Sequence, residues 1–294
     1  MLLSPVSSSS GEMSENMEDI SLGKEPVKIP LLSERSNEYL PEFNYITECI
    51  AGPGACIDIG KPFYPGCCCE ECLVEECSCL VKYGSPYHKQ DGKTLLTRTQ
   101  HDGISQPIFE CNSQCNCDLS CYTKLVQKLI QTRLEVFKSK HKLWGLRTLE
   151  HISQGQFICE YAGEVLSYKE AKKRTIEGKG RPNYIITVKE HISGGKILRT
   201  HVDPRIYGNA GRFINHSCDP NLVMVPVRVD SLIPKLALFA SKDIFPNEEL
   251  SFDYSGGRCG LPSSSCADDP ALCLPCYCNS SNCTGFLPYE ASLF

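Results

Sequence analysis

Ten cysteines crowd into residues 67–121, and their spacing limits what this chain can fold into. Cys67, Cys68, Cys69, Cys72, Cys77 and Cys79 form one group; Cys111, Cys115, Cys117 and Cys121 form another. Cys-x-Cys pairs make poor disulfides, because the short backbone between them cannot easily meet disulfide geometry. They make good metal ligands, since two thiolates can project to one side of a tight loop. With Cys68 set aside as an extra thiol, nine thiolates do not divide into separate four-ligand sites. Three zinc ions need twelve ligand places, which nine thiolates fill if three of them bridge. A last group, Cys276, Cys278 and Cys283, lacks a fourth ligand, which Cys218 can supply.

The chain has 20 cysteines in 294 residues, which fits a secreted disulfide protein or an intracellular zinc protein. Asn215, Asn279 and Asn282 head Asn-x-Ser/Thr patterns, which favours secretion. Against that, residues 1–20 show neither a basic n-region nor an apolar stretch of signal-peptide length. That absence and the Cys-x-Cys pairs favour zinc. No apolar run approaches membrane-spanning length, so no membrane association is expected. A hydrophobic content of 41% permits a real core, and a formal net charge of −5 suits a basic partner. Direct DNA binding is not indicated by that charge.

Composition divides the chain into stretches. Residues 1–40, rich in Ser, Glu and Pro, read as a disordered leader. Residues 41–64 read as an extended arm on the domain behind, and 65–129 as a cysteine-rich module whose stretch 80–110 is a polar loop. Residues 132–254 carry short strands: Leu134 to Phe137, Phe157 to Cys159, Tyr184 to Val188, Ile197 to Val202, Leu222 to Val229 and Leu236 to Ala240. One helix is expected, from a capping box of Ser167 and Glu170 to Gly178. Ile152 to Tyr161 echoes Ile244 to Tyr254, which suggests two similar hairpins. Residues 255–271 read as a linker and 272–288 as a closing cysteine module.

Two segments carry the chemistry. Arg212-Phe213-Ile214-Asn215-His216-Ser217-Cys218 sets polar groups and a thiol in an apolar run, and Glu249-Leu250-Ser251-Phe252-Asp253-Tyr254 ends a strand-like run on aromatics. Together they resemble the signature of the SET-domain lysine methyltransferases of the SUV39-like branch. The likeness covers residues 65–288 in the order pre-SET, SET, post-SET. It is nearest to the SET half of the SET–transposase fusions, with no transposase half expected in this chain.

The resemblance implies a mainly β fold of short strands with a pseudoknot. A triangular three-zinc pre-SET module and a single-zinc post-SET tail would flank it. Carried over, Cys67, Cys69, Cys72 and Cys77 would bind one zinc, and Cys67, Cys79, Cys111 and Cys115 a second. Cys72, Cys111, Cys117 and Cys121 would bind a third, and Cys218, Cys276, Cys278 and Cys283 a fourth. Cys68 and Cys69 can exchange roles. The cofactor implied is S-adenosyl-L-methionine. Leu143, Trp144, Gly145, Tyr184, Arg212, Asn215, His216 and Leu287 match its contacts, although Trp144 also reads as an ordinary core aromatic. Leu143 stands where the family commonly has glycine.

Tyr254 would orient the lysine amine, with Tyr161 and Phe252 lining the same aromatic channel. A channel of that kind suits an alkylammonium. Phe252, in place of a tyrosine, implies a di- or trimethyl product. The implied partner is a histone H3 tail or nucleosome, bound as an added strand, which places the chain in the nucleus on chromatin. Two other classes compete: an inactive SET-like zinc module that binds chromatin, and a secreted disulfide protein. The sequence does not identify the target lysine.

Overall fold

The computed structural model describes residues 18–32, 40–55, 62–97, 100–101, 104–105, 107–139, 142–179, 181, 183–191, 193–256, 274–288 and 290–294. The fold is mainly β, in short strands. Strands Leu134–Ser139 and Leu143–Thr148 pair antiparallel, with Leu134 opposite Thr148 and Ser139 opposite Leu143. Leu134, Val136 and Leu146 are fully buried there and join the main core.

Strand Leu31–Leu32 adds in parallel to the outer edge of this pair, with Leu31 opposite Val136. The segment leading to it is packed. Ile20 and Ile29 enter the core, and the buried Glu25 carboxylate accepts from the Tyr45 hydroxyl at 2.9 Å and the Ile130 amide at 3.1 Å. This corrects the expected disordered leader over residues 18–32. Two buried isoleucines and one buried acid outweigh a polar composition. Residues 1–17 and 33–39 lie outside the described residues.

Two four-stranded sheets complete the frame. One runs Phe157–Glu160, Lys235–Ala240, Leu222–Arg228, Ile108–Phe109; the other runs Ile186–His191, Ile197–Asp203, Glu164–Leu166, Ile50–Ala51. Leu236 to Ala240 is buried throughout, as a strand covered on both faces must be. The arm lies along the domain: Asn44–Tyr45 pairs with Tyr207–Gly208, and Ile50–Ala51 with Glu164–Leu166.

Helix Tyr168–Glu177 begins where the capping box put it, with the Glu170 amide donating to the Ser167 hydroxyl at 3.2 Å. Its buried Ala171 packs with Leu166, Ile185 and Leu293.

The stretch 80–110 is not one loop. It overlaps helix Ser78–Tyr83 and contains hairpin strands Tyr87–Gln90 and Lys93–Leu96, then strand Ile108–Phe109. Asp91 and Gly92 both take positive φ, 50° and 75°, as a two-residue hairpin turn requires. The two segments read as hairpins instead pair with each other. Ile152 and Ile244 exchange both backbone hydrogen bonds at 2.9 Å.

Candidate active site and zinc clusters

The two signature segments meet as the resemblance implied. Asn215–His216 lies parallel to Ser251–Phe252, with Asn215 opposite Ser251 and His216 opposite Phe252. The Ser217 amide donates to the Phe252 carbonyl at 3.2 Å. Buried Asn221, which sequence reasoning passed over, staples the crossing. Its amide donates to the Glu249 carbonyl at 2.9 Å and to Glu248 at 3.0 Å, and its oxygen accepts from the Ser251 amide at 2.9 Å. Its place in Cys-Asp-Pro-Asn, just past the first segment, was the available signal.

Three aromatics stand in sequence at the crossing. Tyr161 and Phe252 ring centroids are 5.7 Å apart, and Phe252 and Tyr254 are 4.7 Å apart. The Tyr254 hydroxyl donates to the Ile214 carbonyl at 2.8 Å, and the Tyr161 hydroxyl to the Tyr184 carbonyl at 2.7 Å. Each hydroxyl therefore spends its hydrogen inside the protein and keeps its oxygen lone pairs as acceptors. Burial pushes both phenols well above the ordinary tyrosine value, so both stay protonated near neutrality.

His216 joins this cluster to the tail. The Tyr254 amide donates to His216 Nδ1 at 3.2 Å, so Nδ1 is an acceptor and the ring proton sits on Nε2. Nε2 faces Cys218 Sγ at 3.5 Å. Burial lowers the His216 pKa and favours this neutral ring.

The remaining candidates divide. Trp144 is a core aromatic, buried with Lys138 Nζ 4.8 Å above its ring, while its carbonyl accepts from Asn215 Nδ2 at 3.0 Å. Leu143 takes φ 64° and its side chain is exposed. Gly145 is required by packing: a Cβ there would stand 2.8 Å from the Phe137 ring and 3.3 Å from Glu249 Oε1. Leu287 lies in the closing module, its amide on the Leu274 carbonyl at 2.8 Å.

Arg212 is buried, stacked 4.3 Å over the Phe43 ring and 5.5 Å from the Tyr184 ring centroid. Nη2 donates to the Arg205 carbonyl, but Nε and Nη1 have no hydrogen-bond partner among the described residues. Two buried orphan donors fit a ligand that carries an anionic group, as the carboxylate of a methionine-derived cofactor would. Asn209 sets the short helix Ala210–Phe213 that delivers Arg212, accepting from the Gly211 amide at 3.0 Å and donating to the Glu160 carbonyl at 2.8 Å.

The cysteine groups pass a test for zinc. Sulfurs sharing a tetrahedral zinc at about 2.3 Å lie ~3.8 Å apart, far beyond a disulfide bond. Cys67–Cys72, Cys67–Cys111 and Cys72–Cys111 are 3.8, 3.9 and 3.7 Å apart, and Cys79–Cys115 is 3.8 Å. The three thiols implied as bridges thus form a triangle. Around it gather Cys67, Cys79, Cys111 and Cys115, then Cys72, Cys111, Cys117 and Cys121.

At the remaining corner Cys67, Cys72 and Cys77 gather with Cys111 in reach, and Cys69, which the resemblance places there, lies against Cys67 and Cys77. Cys69 is half-buried against Cys67 and Cys77, whereas the Cys68 side chain is exposed. A hydrogen bond from Cys111 pulls the Cys121 thiol down to about 4, while burial pushes Cys117 up to about 12. Holding every thiol ionised needs a cation. Cys218, Cys276, Cys278 and Cys283 form a second compact set. Cys259, Cys266 and Cys273 lie outside the described residues.

A frame of short β-strands, a crossed pair of segments holding Tyr161, Phe252 and Tyr254 together, and two cysteine clusters that fit zinc are the features of the SET class. Comparison with known proteins agrees. The SET domain model matches residues 143–255 and the pre-SET motif model residues 21–124. The chain belongs to the SET-domain histone-lysine N-methyltransferases, which are S-adenosyl-L-methionine-dependent protein-lysine N-methyltransferases.

It is 45% identical to the mouse histone-lysine N-methyltransferase SETMAR, over 94% of this chain and 91% of that one. The human SETMAR is also 45% identical, over 86% of this chain, which spans only 37% of the human protein's length. The crystal structure of the human SETMAR methyltransferase domain superposes with a TM-score of 0.78 at 42% identity, covering 94% of this chain and 99% of that one. KRYPTONITE, solved with mCHH DNA, an H3(1-15) peptide and SAH, matches at TM-score 0.73 and 30% identity over 92% of this chain and 53% of that one. The pre-SET match starts well before residue 65, in keeping with the packed segment 18–32. Among the described residues no helix is long and apolar enough to cross a membrane.

Proposed function

We propose that this chain methylates a lysine of the histone H3 tail on chromatin in the nucleus and carries it to the di- or trimethyl state. The observation that carries this reading is the Tyr254 hydroxyl: on a partly buried ring, protonated, and donating to Ile214, it offers only lone pairs to what enters the channel. The H3(1-15) peptide bound by KRYPTONITE supports an H3 substrate, and the net charge of −5 suits a basic tail.

S-adenosyl-L-methionine, when bound, supplies an electrophilic methyl on a sulfonium. Tyr254 and Tyr161 offer acceptors that orient a neutral lysine amine in line with that methyl. Tyr254 Oη would also stabilise the positive charge that develops where the methyl is passed to the amine. Phe252, fully buried between them, closes the channel to water and adds no hydrogen bond to the amine. A dry channel disfavours the ammonium, so the incoming lysine gives up its proton to solvent without a dedicated side-chain base. Arg212, Asn215, His216, Tyr184 and the backbone of residues 143–145 would hold the methyl donor, and Leu287 would cover it.

Four zinc ions complete the enzyme, three in the cysteine triangle and one at Cys218, Cys276, Cys278 and Cys283. Those ions supply structure alone. Mass spectrometry of a histone mixture after incubation with cofactor tests the reading. Methyl-lysine on H3 is expected, and no transfer to any histone would favour a silent chromatin-binding module.

A further inference from the structure

The side-chain nitrogen of Asn215 serves two acceptors, the Trp144 carbonyl at 3.0 Å and Glu249 Oε1 at 2.9 Å. Neither partner can donate, so the atom facing both is the NH2 group. Both amide hydrogens are spent inside the protein, and what Asn215 can offer outward is Oδ1, an acceptor. Glu249 is itself held: Lys142 Nζ lies 3.2 and 3.3 Å from its two carboxylate oxygens. Both side chains are partly shielded from solvent, at 17% and 28% exposure, which strengthens the pair over one on an open surface. Three separate stretches meet here: the strand Leu143–Thr148 with Lys142 ahead of it, the strand Asn215–His216, and the residue two before the strand Ser251–Phe252. Gly145 leaves the room that Glu249 Oε1 occupies.

We propose that Glu249 is a positioning residue that fixes the sense of the Asn215 amide, so that the methyl-donor site is read by an acceptor and selects the ammonium of the donor's amino-acid end. This rests on Asn215 being a cofactor contact. The Trp144 carbonyl admits the same orientation but engages only one N–H, and the charged Glu249 acceptor engages the second and makes the turned-over amide costlier still. With the amide turned over, NH2 would face the ammonium and repel it. Lys142 balances the Glu249 charge, so the carboxylate holds Asn215 and does not itself capture the cation.

The test is calorimetry with S-adenosylhomocysteine and its analogue lacking the α-amino group, on zinc-loaded protein. The parent should prefer the amino-bearing ligand by about tenfold or more, as expected for a hydrogen bond to a charged group. Glu249→Ala, which keeps only the Trp144 acceptor, should lose a clear part of that preference, with little change in affinity for the deaminated ligand. Asn215→Asp sets two carboxylates against each other and should bind both ligands poorly. Adding Glu249→Gln supplies an NH2 donor opposite the new carboxylate and should restore the preference, a rescue that does not depend on Glu249→Ala folding. A parent preference that survives undiminished in Glu249→Ala, or a failed rescue in the folded double variant, overturns the role of Glu249. A parent with no preference removes Asn215 from the ammonium site, and the proposal falls with it.

Discussion

The backbone amide of Tyr254 donates to Nδ1 of His216 at 3.2 Å, and the other nitrogen of that ring faces Cys218 at 3.5 Å. One buried imidazole therefore touches both Tyr254 and a thiol of the tail cluster.

His216→Ala removes an acceptor from the Tyr254 amide and opens space beneath the crossing. Asn215→Ala leaves Glu249 without one of its donors. Each should weaken cofactor binding by about 1–3 kcal/mol, the cost of leaving buried polar groups unpaired. Calorimetry on both variants is the check, and unchanged affinity in both would take these residues out of the cofactor site.

Cys276→Ser should release one zinc of four and abolish transfer. The triangle of Cys67, Cys72 and Cys111 shares no thiol with that set, so the rest of the fold should persist. Elemental analysis and a melting curve report both quantities; global unfolding of the variant would contradict the separation.

Tyr254→Phe should bind cofactor nearly as the parent does and lose most turnover, because the hydroxyl acts on charge that develops in the transition state. Losing its bond to Ile214 should cost about 1 kcal/mol of stability. Turnover close to that of the parent would transfer the role to Tyr161.

Glu110 gives a prediction in pH. Its buried carboxyl accepts from the Tyr87 hydroxyl at 2.7 Å, the Val126 amide at 2.8 Å and the Gln127 amide at 2.8 Å, and burial raises it from 4.5 to about 7. A raised acid binds its proton in the folded state over that interval. Its stabilisation is therefore fully present below pH 4.5 and is lost as pH rises through 7. The stability of the parent relative to Glu110→Gln should fall by up to about 3 kcal/mol between roughly pH 4.5 and 8. Comparing the two proteins at each pH cancels the acid sensitivity of the zinc clusters. A difference that does not change with pH would rule out titration of Glu110.

What could be read from the sequence was local or motif-bound. The Cys-x-Cys pairs declare metal chemistry through backbone reach alone, and the two signature segments are long enough to imply their own crossing. The capping box of Ser167 and Glu170 is read from neighbours three residues apart. What escaped was long-range. Ile20, Ile29 and Glu25 look unremarkable in a polar leader until Leu134–Ser139 and Ile130 give them a surface. Cys111 closes a triangle with Cys67 and Cys72 across about forty residues of chain, which chain order alone does not show. Asp91-Gly92 was a readable hairpin signal that the surrounding polar stretch masked. Glu249 and Asn221 are ordinary polar letters, and their partners lie about thirty residues away.

The central claim is repeated methyl transfer to a histone-tail lysine in a channel closed by Phe252. It is tested most directly by a time course on an unmodified H3 tail peptide, read by mass spectrometry for the parent and Phe252→Tyr. A tyrosine hydroxyl at that point could hold water against the amine and hinder its turning back toward the donor. The account predicts that the parent passes through monomethyl-lysine to di- or trimethyl-lysine, and that Phe252→Tyr accumulates the monomethyl product with little change in the first transfer. A parent that stops at monomethyl-lysine, or a variant with the parent's product distribution, would contradict it.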